Sequence, residues 1–393
     1  MESIPRCITK LHKGIIPYLG RGSWVYATNG QKYLDFTSGI GALSLGHSHP
    51  ELIETVSNQM NHIVHVPQQV FGASSPLLDL NKMLLKTMKG NKLNSFFYVN
   101  SGSEATDNAI KIARRVTRKP NIISIDNGFH GRTLGALSLN SSSVKTRCGT
   151  QPLMSGIFFS EPNENSLDEL FTRYTCPTET AGIIFESVQG EGGIHSLSSS
   201  FLKHMETYCK EHNIMMIADE VQCGALRTGE FWNVYTKEVE PDIITFGKGV
   251  ASGFPLAGLA SNKEHMDHLG SNFLGGTYGG NALSSIASCK TVDILTRNDT
   301  IKYNVFVQSA RLETELQKNE NIKEIRVYGL MVGIETISPE YCSYLVDSLR
   351  KHNILVLKAG NNSNIVRLMP PLNVTQDEIE LFIDVYNKLL LSF

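Results

Sequence analysis

The stretch IMMIADEVQCGALRTGEFWNVYTKEVEPDIITFGKG, residues 214–249, carries the decisive pattern. A short apolar run stops at Asp219, and a second, Ile243–Phe246, stops at Gly247-Lys248-Gly249. Apolar runs of this length without alternating polar residues suit strands buried on both faces, as in parallel sheets. The pattern recurs upstream: Phe96–Val99 precedes NSGSEA, Asn121–Asp126 precedes NGFHGRT, and Gly182–Phe185 precedes ESVQGEGG. Between these runs lie helical stretches. SEATDNAIKIARRV puts Ala105, Ala109, Ile112, Ala113 and Val116 on one face and gathers Arg in its last turns, where the helix dipole favours cations. Ser199–His212 forms another helix before IMMIAD. Strands alternating with helices predict an α/β fold: a large, mostly parallel sheet with helices on both faces.

The 393 residues are too many for one small module. Residues 51–290 are expected to form the large sheet domain and 291–393 a smaller α+β domain, with helices over Val305–Gln317, Tyr341–His352 and Gln376–Leu391. Residues 1–50 are expected to pack with the smaller domain, through two strands joined at an Asn29-Gly30 hairpin turn. Lys and Arg total 36 and Asp and Glu 38, a formal net charge of −2, so no bulk field draws nucleic acid or an acidic membrane. The apolar runs are far shorter than the ~20 residues of a membrane span, and MESIPRCITKLHKG lacks a secretory apolar region. Seven cysteines without a CxxC pair argue against a disulfide framework. A cytoplasmic location is expected; the weakly basic N-terminus leaves a mitochondrial one open.

In a parallel sheet, ligands bind beyond the carboxyl ends of the strands. Ser101-Gly102-Ser103 stands between a strand and a helix start, where free N–H groups accept either an anion or an ordinary cap. The spacing is neither a Walker loop nor a G-x-G-x-x-G dinucleotide fingerprint, which also removes a dehydrogenase reading. Lys248, between glycines, reads as a turn lysine or a Schiff-base former; Asp219 reads as a turn residue or the carboxylate that keeps a pyridine nitrogen protonated. Lysine, carboxylate and phosphate cradle together are what pyridoxal 5'-phosphate requires.

DEVQCGALRTGEFW and DIITFGKGVASGFPLAG resemble the signature region of class III pyridoxal-phosphate aminotransferases, the fold type I group that includes 4-aminobutyrate, ornithine and acetylornithine aminotransferases. YLDFTSGIGALSLGHSHP, VNSGSEATDNAIKIARR, GFHGRT, FESVQGEGG, GGTYGGN and VRLMPPL resemble further blocks of that family, in its order and over nearly the whole chain.

The resemblance implies that Lys248 holds the cofactor as a Schiff base and moves the substrate proton. Asp219 would pair with the pyridinium nitrogen. Ser101, Gly102 and Ser103 would hold the phosphate, Phe129 and Val221 would flank the ring, and Gln222 would approach its 3-hydroxyl, with His130 and Glu186 in the same cofactor-binding set. Thr277 would reach the phosphate of the partner subunit, so that a homodimer shares its active sites. Arg132 would bind a distal carboxylate, Arg367 an α-carboxylate, and Glu191 would gate Arg367. Ile40, where an ornithine enzyme is expected to carry an aromatic residue, leans toward 4-aminobutyrate as amino donor and 2-oxoglutarate as acceptor. Acetylornithine or ornithine transfer is the main rival; an aminomutase or racemase is a further one, although the aminomutases lack the arginine that Arg132 matches.

Two departures stand out. Ser187 replaces the usual proline after Glu186, which is expected to loosen that loop, and Leu226 replaces a small residue near the cofactor side. His47, His49 and Glu51 do not make a convincing metal set, so no metal is expected.

Overall fold

The computed structural model describes residues 5 and 11–391; Cys7 and most of the weakly basic N-terminal segment lie outside the described residues. Its centre is a seven-stranded sheet: β1 (Ser95–Val99), β2 (Asn121–Ile125), β3 (Ile157–Ser160), β4 (Thr180–Phe185), β5 (Met215–Asp219), β6 (Ile243–Phe246) and β7 (Ala257–Ser261). The spatial order is β1-β7-β6-β5-β4-β2-β3, parallel except for β7, which runs antiparallel to both neighbours.

Period-two alternation assigns the two faces. Met216 and Ala218 of β5, with Phe185 and Phe246, join the larger core that includes Leu202, Met205 and Trp232. Met215 and Ile217, with Ile184 and Ile243, pack instead against Ala109, Ile112 and Ala113 of helix Gly102–Thr117. Both faces are therefore covered, which is why these strands carry almost no polar residues. Gly258 of β7 is demanded by the packing, since a Cβ there would lie 2.6 Å from the Phe97 carbonyl oxygen and 2.8 Å from the Phe246 ring.

A second, four-stranded antiparallel sheet is built from Ile322–Tyr328, Met331–Thr336, Ile365–Leu368 and Leu357–Ala359. Helices Thr300–Glu315, Pro339–Lys351 and Gln376–Leu391 accompany it. Near the N-terminus, Pro17–Arg21, Trp24–Ala27 and Lys32–Asp35 form an antiparallel meander whose last strand pairs in parallel with Ile354–Leu355. The Asn29-Gly30 turn closes its second hairpin, with Gly30 at φ +80° and Asn29 Oδ1 accepting from Gln31 N–H. Helix Ala282–Thr296 spans position 290 and packs on Pro50–Met60 and Ser75–Leu85. Among the described residues no helix is long and apolar enough to cross a membrane.

Candidate active site

The carboxyl edge of β1 delivers the cradle. Ser101 caps helix Gly102–Thr117: its hydroxyl accepts from Glu104 N–H, while the Glu104 carboxylate accepts from the Ser101 and Asn100 amides. This reciprocal box fixes the first turn and leaves the Gly102 and Ser103 amides as open donors at the positive end of the dipole. Ser103 Oγ accepts from Arg132 N–H at 2.9 Å, which ties the GFHGRT loop to the cradle. Two glycines permit the approach. A Cβ on Gly102 would fall 2.8 Å from Val221 Cγ1, and one on Gly131 would fall 2.3 Å from Ser103 Oγ.

Asp219 ends β5 directly opposite Thr245 of β6, so its carboxylate and Lys248 emerge from adjacent strands. Asp219 is followed by a turn and not by a helix. Its Oδ1 accepts from Val221 N–H (3.1 Å) and its Oδ2 lies 2.7 Å from His130 Nδ1. His130 is itself clamped, with its amide donating to Asn140 Oδ1 and its carbonyl accepting from Thr106 Oγ1. The tautomer that donates from Nδ1 leaves Nε2 unprotonated. That nitrogen is buried and without a protein partner.

Lys248 sits in the left-handed region (φ +44°) at the start of a short helical turn, backbone strain of a kind that concentrates at functional sites. Enclosure pulls its ammonium below the usual lysine range, and Glu191, Glu186 and Asp219 partly restore it while Arg367 opposes them. A lysine so disposed is ready to act as a nucleophile and a proton carrier.

The substrate side is built from the second sheet. Arg367, on strand Ile365–Leu368, is almost fully buried and bonds Glu191 Oε1 (2.8 Å) and Gln222 Oε1 (3.1 Å), while its Nε has no partner. Gln222 thus engages Arg367. Gly190 makes room for it, since a Cβ there would be 1.8 Å from Gln222 Oε1. Glu186 accepts from the Phe129 and Gly190 amides. Arg132 is exposed, with its guanidinium 5.7 Å from the Phe129 ring. Ile40 is 49% exposed in a left-handed turn, and Thr277 is exposed in the loop before helix Ala282–Thr296. Among the described residues neither side chain makes a hydrogen bond or ion pair to the cluster.

A family model described as aminotransferase class-III matches residues 10–390. The chain belongs to the class-III aminotransferases. It is 36% identical to the acetylornithine aminotransferase of Bacillus anthracis (94% of this chain, 93% of the relative) and 32% identical to the 5-aminovalerate aminotransferase of Pseudomonas aeruginosa (96% and 93%). Identity to the 4-aminobutyrate aminotransferase of Escherichia coli is 31% (98% and 96%). The fold matches the ornithine aminotransferase structure of Toxoplasma gondii with TM-score 0.89, at 26% identity over 100% of this chain and 93% of that one. This aminotransferase is a fold type I enzyme that uses pyridoxal 5'-phosphate. Its residues fit that group: a cradle with open amides, a buried carboxylate and an enclosed lysine stand along the carboxyl edge of one sheet.

Three supports of the aminotransferase site are not visible in its sequence. Glu220, buried beside Asp219, accepts from the Asn233 and Val234 amides, Ser187 Oγ and Cys223 Sγ. Asn140 braces His130 and Gly131, and Asn127 donates to Gly192 O in the Glu191 loop. Ser187 does not loosen its loop, because it is fully buried with its hydroxyl bonded to Glu220 Oε1 at 3.1 Å. Leu226 is buried in the main core, and its neighbour Ala225 lies against Gly249. His47 is spent on Asp35 and Glu51 on Arg297.

Burial pushes the Glu186 carboxyl up to about 7, against an ordinary value of 4.5, with nearby Asp219 adding to the rise and His130 opposing it. A carboxyl raised in the fold contributes stability that is present below its unfolded pKa and lost as pH climbs through the folded one. The apoenzyme's thermal midpoint is therefore expected to fall relative to that of Glu186→Gln as pH rises from about 5 to about 8. The substitution adds a pH-independent offset, so the slope is what counts; parallel Tm curves across that window would show that Glu186 does not titrate there.

Proposed function

We propose that this aminotransferase moves the amino group of a terminal-amine acid of the 4-aminobutyrate type to 2-oxoglutarate. The observation that carries the reading is the Glu191–Arg367 ion pair at 2.8 Å, with Arg367 buried and Arg132 exposed and free of any carboxylate partner among the described residues. A terminal-amine donor brings no carboxylate beside its reacting carbon, so Arg367 must be neutralised from within, and Glu191 does this. For 2-oxoglutarate, Glu191 swings away and Arg367 takes the α-carboxylate through its planar fork. Arg132 receives the distal carboxylate in both halves.

Pyridoxal phosphate, when bound, supplies an electron sink for the carbon that loses its proton. Ser101, Gly102 and Ser103 would hold its phosphate, Phe129 and Val221 would bracket its ring, and Asp219, oriented by His130 and Val221 N–H, would face its nitrogen. Glu186 and Gln222 border the opposite side. Lys248 would hold the cofactor covalently and, once released, would move the substrate proton. Thr277, exposed as it is, serves the phosphate of a second copy, so the working form is a homodimer with shared sites. The six cysteines among the described residues are free, which fits a reducing compartment, and we assign the cytoplasm.

The names of the relatives span 5-aminovalerate, 4-aminobutyrate and acetylornithine. Acetylornithine or ornithine transfer is accordingly the second reading, since those donors also present a terminal amine and the Glu191–Arg367 pair suits them as well. Steady-state rates with 4-aminobutyrate, 5-aminovalerate, N-acetylornithine and ornithine separate them, with glutamate formed from 2-oxoglutarate as readout; an aminomutase or racemase would form none. Arg367→Ala is expected to lower kcat/KM for 2-oxoglutarate about 100-fold, as loss of a charge-assisted pair worth 2–3 kcal/mol would. It should spare the 4-aminobutyrate half-reaction far more. Equal losses in both halves, or a wild-type preference for acetylornithine, would overturn the assignment.

A further inference from the structure

At the edge of the sheet opposite Lys248, the chain gathers cations that the proposed reaction does not use. Helix Gly102–Thr117, whose first turn forms the cradle, has Arg114 and Arg115 in its last turn; Arg118 closes it in the left-handed conformation, and Lys119-Pro120 leads into β2. These side chains, with Ser155 and His268, line a cleft of about 750 Å³ that has no Asp or Glu in its walls.

The cations are not spent on carboxylates: among the described residues none of the four makes an ion pair. Lys119 is anchored, its ammonium donating to the carbonyls of His212 (2.5 Å) and Asn213 (3.0 Å) at the end of helix Ser199–His212 and to that of Pro177 (3.0 Å). Arg114 donates to Ser155 O, and its Nε is buried without a partner. Arg115 lies over the Phe273 ring, and Arg118 is exposed. The helix dipole accounts for cations in the last turn. It does not account for Arg118 and Lys119 beyond the helix or for His268 arriving from another element, in a chain whose formal net charge is −2. Crowded like charges without counter-charges repel one another, and an anionic occupant removes that cost.

We propose that this cleft binds a diphosphate group, either free or carried by a nucleotide. Guanidinium forks match phosphate oxygens, two phosphates in tandem engage Arg114, Arg115 and Arg118 together, and the volume falls in the range of about 300–1,000 Å³ usual for small-ligand sites.

The test is calorimetric titration of the holoenzyme, whose catalytic phosphate cradle is already filled, with inorganic pyrophosphate, ADP and adenosine. Saturable binding of pyrophosphate and ADP is expected, with no binding of adenosine, and affinity should fall when salt is raised to about 0.5 M. ADP binding tenfold or more tighter than pyrophosphate identifies a nucleotide; equal affinities identify free diphosphate. The double variant Arg115→Glu/Arg118→Glu, both exposed positions, should weaken binding at least about tenfold and leave kcat unchanged. Absence of saturable binding, or unchanged affinity in the double variant, overturns the proposal.

Discussion

Lys248→Ala is expected to lower kcat on the order of 10⁴-fold or more, since the proposed mechanism gives this one residue two tasks, covalent anchor and proton carrier. The protein should fold normally. Alanine inherits the same left-handed backbone, and removing an enclosed ammonium that burial already disfavours relieves a cost. Two measurements check this. Turnover with 2-oxoglutarate should disappear, and borohydride treatment followed by mass analysis should fix a pyridoxyl group on the wild type and none on the variant. Residual activity within a hundredfold of wild type, or fixation at another lysine, would remove Lys248 from its role.

Asp219→Asn ranks second, with a loss of about 10²–10⁴-fold in kcat expected. Asparagine is the informative substitution because Oδ1 can still accept from Val221 N–H, so shape is kept while charge goes. Asp219→Ala would instead strand His130 Nδ1 in a buried pocket, at about 1–3 kcal/mol, and confuse stability with chemistry. A cofactor whose nitrogen is no longer held protonated loses its electron sink; cofactor retention should weaken far less than turnover. A variant within tenfold of wild type would show that the charge on Asp219 is dispensable.

The strands carrying Asp219 and Lys248 were legible because both of their faces are buried, and continuous apolar runs follow from that. β7 was not: AGLAS is short, small-residued and placed after a glycine-rich turn, so no period distinguishes it. The residues proposed for the reaction could be named because most of them follow a strand. Their supports could not. The His130–Asp219 and Gln222–Arg367 contacts join positions 89 and 145 residues apart, and only the fold brings them together. Glu220, beside Asp219 in the chain, reads as a solvated acid until the amides of Asn233 and Val234 are seen closing over it. Ser187 misled for the same reason, since its partner lies on another strand.

The lone antiparallel strand also dictates an order of events. β7 lies between β1 and β6, pairing Val99 with Ala257 on one side and Phe246 with Gly258 on the other. A nascent chain that has reached residue 250 already possesses the cradle, Asp219 and Lys248, yet the sheet still has a slot one strand wide between the cradle and the lysine. Only when residues 257–261 thread into that slot is the distance between them set, at two strand spacings or about 10 Å. The spacing between cradle and lysine is therefore scheduled by topology: it cannot be set until the chain has grown past Lys248 to the strand that fills the slot.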